Sequence, residues 1–269
     1  MANQAPRNKE ELKHFLDAWV EKTNVKGFIQ HDPITIPHRF TKQQDIEIAG
    51  FFAAIMAWGN RQTIINKCGD LLQRMDNAPH DFVLNHSDRE ARVLKGFVHR
   101  TLNETDVLFI LDFFKRWYRA NESLEQAFTQ HMTKGDNTVE TGLNGFYSNV
   151  FSTQWPSERT RKHIAAPHKK SACKRLNMFL RWMVRNDGRG VDFGLWRSIS
   201  TSQLICPLDV HVQRVAHELG LLARKQADWK AAVELTNALR EFDARDPVRY
   251  DFALFGLGLS GFPNKKGSH

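Results

Sequence analysis

Apolar residues recur at helical spacing along most of the chain. Residues 9 to 22 place Leu12, Phe15, Leu16 and Trp19 at i, i+3, i+4 and i+7, which makes one face of an amphipathic helix. Asp32-Pro33 and Ile36-Pro37 then mark a loop, because each proline biases its predecessor away from helical backbone. Gln44 to Trp58 is almost wholly apolar and predicts a buried helix that stops at Gly59. A new helix is expected near Thr63, carrying Ile64, Ile65, Leu71 and Leu72. Asp45 and Glu47 stand where caps of the apolar helix would stand. Asp106 to Tyr118 puts Val107, Ile110, Leu111, Phe114 and Trp117 on one face, and Ser123 to Met132 and Gly142 to Val150 predict two more helices. Residues 133 to 141 read as a polar linker and 153 to 172 as a basic, proline-containing loop.

Lys174 to Val184 has a clean apolar stripe of Leu176, Phe179, Leu180 and Met183. Residues 186 to 207 carry glycines and a proline and predict an irregular connection. Asp209 sits at an N-cap position ahead of Val212, Val215, Ala216 and Leu219, and Gly220 closes that helix. Trp229 to Phe242 and Pro247 to Leu259 complete the set. No period-2 strand and no internal repeat is visible, so the predicted class is all-α.

Composition narrows the function classes. In 269 residues, 41% are hydrophobic, and 19 Phe with 7 Trp supply ample surface for a packed core, against a disordered chain. The longest apolar run, Ile46 to Trp58, is interrupted by Glu47 and is too short to span a bilayer. The N-terminal residues lack the apolar centre of a signal peptide. Three cysteines, Cys68, Cys173 and Cys206, do not make a disulfide framework. Together these argue against a membrane or secreted protein and for a cytoplasmic one. The formal charge of +8 is concentrated: residues 158 to 189 hold ten Lys and Arg against Glu158 and Asp187, and the rest of the chain is balanced. Such a window favours a polyanionic partner, with a merely solvated face as the alternative.

The most specific stretch is Pro207-Leu208-Asp209-Val210-His211-Val212-Gln213-Arg214-Val215-Ala216. Alone, its aspartate reads as a helix cap. The stretch resembles the Val-Asp-Thr-His-Val-x-Arg-Val segment of the helix-hairpin-helix DNA glycosylase superfamily, of endonuclease III and 8-oxoguanine glycosylase type. Leu219-Gly220-Leu221 then resembles the end of the same helix. Ala54 to Lys67 is similar to the superfamily's early helix-turn-helix, and Asp251 to Gly258 to its last core helix. A still closer resemblance, through Ser171 to Arg185 and Pro207 to Val212, is to a bacterial family built on a domain of unknown function. The superfamily resemblance implies two helical subdomains with a cleft between them. Residues 43–185 would form the central one, ending in the basic helix, and residues 1–42 with 186–269 the second.

The resemblance also implies roles. Asp209 would be the catalytic carboxylate, and a lysine opening the preceding helix would be the nucleophile of a bifunctional enzyme. Lys169, Lys170 and Lys174 are the candidates. In the superfamily, the positions two, five and six after that lysine face the core. From Lys174 these are Leu176, Phe179 and Leu180; from Lys170 they include Arg175. Lys174 is therefore preferred and Lys170 held in reserve. Asn60 and Arg61 are candidates for the wedge that enters the DNA stack, against a plain loop. Lys169, Lys170, Arg175, Arg181, Arg185, His211 and Arg214 are candidate DNA contacts. Trp182 and Trp196 flank the basic segment and are candidates for stacking on an extruded base, against a core role.

The sequence departs from the superfamily in three places. Lys170-Ser171-Ala172-Cys173 replaces the usual Gly-Val-Gly hairpin, so side-chain cations would take over from backbone amides at a phosphate. The lysine-to-aspartate spacing is longer than in most members, as it is in archaeal 8-oxoguanine glycosylases. No cysteine follows Cys206, which leaves no iron–sulfur ligands and no expected cofactor. His31, Asp32 and His38 could hold a metal, but turn and surface roles are preferred and no metal is expected. The expected function is a base-excision DNA glycosylase, with or without abasic-site lyase activity, acting on a flipped damaged base in duplex DNA. The alternative is a non-catalytic nucleic-acid binder with the same fold.

Overall fold

A computed structural model describes residues 8–153 and 158–262. Residues 154–157 of the predicted basic loop, Trp155 and Pro156 among them, lie outside the described residues. The fold is predominantly helical, and the chain runs α1 (Lys9–Thr23), α2 (Gln43–Met56), α3 (Arg61–Arg74), α4 (Pro79–Asn85), α5 (Glu104–Tyr118), α6 (Gln126–Thr129), α7 (Glu140–Phe151), α8 (Lys174–Val184), α9 (Val210–Glu218), α10 (Trp229–Arg240) and α11 (Asp251–Leu259). Between α4 and α5 two short strands, β1 (Val98–His99) and β2 (Leu102–Asn103), pair antiparallel. A ladder of two residues per strand is too short to leave an alternating pattern in the sequence. α4 is likewise too short for periodicity to reveal it, and Ser123 to Met132 contracts to the single turn of α6.

α2 is the centre of the molecule. Every residue from Ile46 to Met56 is buried, as a helix that is apolar all round must be. It packs against α8 and α3. Phe51 meets Phe114, Phe146 and Phe179 edge-on at 5.3, 5.8 and 5.6 Å, drawing α5, α7 and α8 onto one aromatic cluster. Gly50 lets α2 and α8 approach closely: a Cβ there would stand 3.2 Å from the Met183 methyl. A second group joins the chain's two ends, with α11 packed against both α1 and α9.

The carboxylates of α2 do not cap it. The N-cap is Lys42, Asp45 accepts the His80 backbone N–H, and Glu47 lies inside the helix, fully buried. Its two oxygens accept from the Tyr118 hydroxyl at 2.7 Å, the Leu124 N–H at 2.9 Å, the Trp196 indole at 2.8 Å and the Ser123 hydroxyl. A buried carboxylate is tolerable only when its lone pairs are filled in this way. Glu47 thereby ties α2 to α5, to the turn before α6 and to the long connection after α8. Among the described residues no helix is long and apolar enough to cross a membrane.

Candidate active site

Asp209 is the N-cap of α9, in extended backbone, and its Oδ1 accepts the His211 and Val212 N–H groups at 2.9 and 2.8 Å. One oxygen completes the cap, which leaves Oδ2 to face elsewhere. That oxygen lies 3.5 Å from the Lys174 Nζ. Lys174 opens α8, with its side chain 31% exposed against 16% for Asp209, so the pair is accessible from one side. The chain reaches Lys174 through a 3₁₀ turn, Pro167–Lys169, and then two left-handed residues, Lys170 at φ 60° and Cys173 at φ 51°. Left-handed backbone is where glycine is ordinarily favoured. Cys173 places no side-chain cap on α8, so the first-turn N–H groups of that helix are left without one.

The pair lies in the wall of a cleft of about 430 Å³. The turn into α3 contributes Trp58, Gly59 and Arg61; α8 contributes Lys174, Met178, Arg181 and Trp182; α11 contributes Asp251, Phe252 and Phe255. Phe28 and Asp32 close it from the segment after α1. Arg61 stacks its guanidinium on Phe255 at 4.8 Å, and Arg100 lies over Trp58 at 4.6 Å, holding an indole that is 41% exposed at the rim. Asn60 caps α3 through the Thr63 N–H at 3.1 Å and stays exposed beside it. Asp251 is buried and bonded to Arg181. Burial pushes its carboxyl up to about 6, against the pull of Arg181 and with a further push from Asp209. Burial also raises Asp32, partly offset by the Ile34 N–H and by Arg181, Arg61 and Lys174.

The basic window divides. Lys162, Lys169 and Lys170 are exposed, with no carboxylate within ion-pair distance among the described residues. His211 and Arg214 are also exposed, on α9, and Arg214 donates to the Gly258 carbonyl at 3.2 Å. Arg175 is half-buried and spends its guanidinium on the Ile55 carbonyl. Arg181 and Arg185, expected at the DNA, are buried instead. Arg185 bonds Asp246 at 2.8 Å, Asp187 at 2.9 Å and Asp192 at 3.1 Å, while Arg181 bridges Asp192 and Asp251. They latch α8 to its following loop and to α11. Their partners lie outside α8, which is why helical pattern alone reads them as free cations.

Trp182 and Trp196 are also corrected in place: they are 0% and 1% exposed, so neither ring has a free face to stack on. Trp196 packs on Phe128 and Phe179 and bonds Glu47. Trp182 sits at the floor of the cleft. The exposed indole at this site is Trp58, whose signal in the sequence is an aromatic residue placed directly before the Gly59-Asn60 turn. Asp32, considered in the sequence only as a metal ligand, and Asp251, noted only as the start of the last core helix, also line the cleft, and neither carries local spacing that would have placed it there. His38 bonds the Val191 carbonyl at 2.8 Å and stacks on Phe193. Among the described residues no three His, Cys, Asp or Glu side chains gather as metal ligands.

No curated protein and no solved structure matches the chain. A family model does, over residues 32–260, a span that holds every residue of the cleft except Phe28 and Ile29. The chain belongs to that family, described as a protein of unknown function (DUF2400).

Proposed function

We propose that the protein is a DNA glycosylase with abasic-site lyase activity, acting on a base turned out of the duplex into the cleft. The observation that carries this is the 3.5 Å contact between the Lys174 amine and the free oxygen of Asp209 in the wall of an aromatic-lined cleft. In this reaction the neutral Lys174 amine attacks C1′ of the sugar, and the glycosidic bond breaks, its electron pair leaving with the base, which takes up a proton. Asp209 holds negative charge beside the positive charge that builds at C1′. Loss of one proton from the attached nitrogen, and opening of the sugar ring with its oxygen taking up a proton, give an iminium that keeps the second N–H. Removal of a C2′ proton then expels the 3′-phosphate. No cofactor is needed. Flipping requires a wedge, for which Asn60, Arg61 and Trp58 stand at the rim. Lys169 and Lys170 lie just ahead of α8, where its open N-terminus favours a phosphate. The proposal includes the two-subdomain division, residues 43–185 against 1–42 with 186–269, with the cleft between them.

Borohydride trapping on duplex DNA carrying an abasic site, beside base release from a lesion panel, tests the proposal. Wild type is expected to give a covalent adduct and Lys174→Ala none. Asp209→Asn keeps a cap acceptor, so it is expected to fold while losing about a hundredfold or more in rate. An undiminished adduct in Lys174→Ala overturns the Schiff-base route. No adduct and no released base from wild type would instead leave a non-catalytic binder.

A further inference from the structure

Two polar groups in the cleft are left over once the Lys174–Asp209 pair is accounted for. The first is Asp32. Its Oδ1 accepts the Ile34 N–H at 3.0 Å, and its other oxygen takes no hydrogen bond from any described residue. The second is Trp182, wholly buried, whose indole Nε1 has no acceptor among the described residues. Both residues line the cleft. An unpaired buried donor is costly, and a native structure keeps one where something else completes it.

Their depth fits a base. Lys174, Met178 and Trp182 follow one another on the cleft face of α8, and eight residues of helix span roughly 12 Å. Both side chains lean toward the helix N-terminus, so the separation along the helix is kept. With its C1′ at the Lys174 amine, a base would extend its outer edge toward Trp182. Phe28, Phe252 and Phe255 supply apolar wall around it.

The inventory also selects an edge. Asp209 is committed to the α9 cap and Lys174, and Asp251 to Arg181, so Asp32 is the carboxylate left to accept from a ligand. Donors are in surplus, with the Trp182 indole beside Arg61, His211 and Lys174. A lactam edge offers one N–H and a keto oxygen with two lone pairs, which matches one acceptor and several donors. The amino edge of adenine or cytosine offers two N–H groups and one lone pair, the opposite balance. We propose that Asp32 and Trp182 read the outer edge of a neutral lactam base, its ring N–H donated to Asp32 and its keto oxygen accepting from the Trp182 indole. This assignment rests on the cleft being a base pocket.

The probes are 1-methyluracil and 9-methylhypoxanthine, in which the nitrogen that carries the sugar is blocked, their further N3-methyl and N1-methyl forms, and 9-methyladenine and 1-methylcytosine, each added to the ¹⁵N-labelled full chain. The readout is the indole N–H resonance of Trp182, assigned by its loss in Trp182→Phe. 1-Methyluracil or 9-methylhypoxanthine is expected to shift it, and the bases methylated on the outer edge and the amino bases are not. Asp32→Asn keeps the acceptor for Ile34 but sets an NH₂ against the base N–H, and is expected to weaken binding about tenfold or more. No shift with any base, equal shifts with adenine or cytosine, or unchanged binding in Asp32→Asn overturns the inference. Trapping on abasic DNA, which has no base, separates the two proposals. If wild type fails to trap or excise yet lactam bases still shift the indole, the chemistry fails and the base pocket stands. Trapping without a shift removes this inference alone.

Discussion

Asp251 stands in the cleft wall with Arg181 bonded to one oxygen and the Cys206 thiol 4.0 Å from the other. The loss of water outweighs the guanidinium, and the carboxyl is pushed up to about 6 from an ordinary 3.8. The native state therefore holds this proton more tightly than the unfolded chain. Its stabilising effect is complete below the ordinary carboxylate range and is lost as pH rises through about 6. Asp251→Asn cannot titrate. Urea unfolding of both proteins at pH 4 and pH 7 is expected to show the variant gaining about 2–3 kcal/mol relative to wild type across that interval. A pH-independent difference would mean that Asp251 is not desolvated as its place between Arg181 and Asp209 requires. Asp209 is the contrasting carboxylate. Cap and candidate catalyst were alternatives in the sequence, but its two oxygens divide: one makes the cap and the other faces Lys174, so the cap does not exclude the proposed role.

Among the elements, α8 and the turn before it were the most legible and the most misleading. Leu176, Phe179, Leu180 and Met183 mark the core face of α8, and the same phase puts Lys174 toward Asp209. Periodicity fixes which way a side chain points, but not what meets it there. Arg181 and Arg185 find carboxylates at positions 192, 246 and 251, contacts that exist only after the chain has folded. The turn's conformation was hidden for a different reason. Lys170 and Cys173 adopt the left-handed backbone of a tight turn without being glycine. Lys170 is exposed and packs on nothing that its loss would empty. Lys170→Gly is expected to relieve that strain and leave the protein about 0.5–1 kcal/mol more stable after the glycine's extra unfolded entropy. The same change removes a cation from the proposed phosphate contact, so the slope of log K for duplex DNA against log salt should fall by about 1. Stability and DNA binding would move in opposite directions. A joint loss, measured by urea unfolding and salt titration, would place Lys170 in the fold and not at the DNA.

Across the whole molecule, the charge excess proves to be two populations. Arg159, Arg181, Arg185 and Arg189 from the basic window pair with carboxylates, among them Asp106, Asp192, Asp246, Asp251 and Glu21. These hold helices together and present little field outside. Lys162, Lys169 and Lys170 remain as exposed charge with no carboxylate partner among the described residues, ahead of the opening of α8. A formal +8 summed along the sequence cannot separate the two, because pairing depends on which distant segments the fold brings together. Mutagenesis can. Replacing Lys162, Lys169 and Lys170 together with glutamine is expected to weaken duplex DNA binding about tenfold or more near physiological salt and to lower the salt slope by about 2–3. The urea midpoint should move little, since no ion pair among the described residues is lost and the one ring contact, Lys169 over Tyr147 at 5.9 Å, is long. Arg185→Gln is the converse: it takes the cation from Asp246 and Asp187 and leaves Asp192 to Arg181 alone, and is expected to cost about 3–5 kcal/mol of stability. Because Arg185 is 2% exposed, its loss should not alter the salt slope of whatever protein remains folded. If the triple lysine variant binds DNA as tightly as wild type, the polyanion enters from another face, and the basic window belongs to the architecture alone.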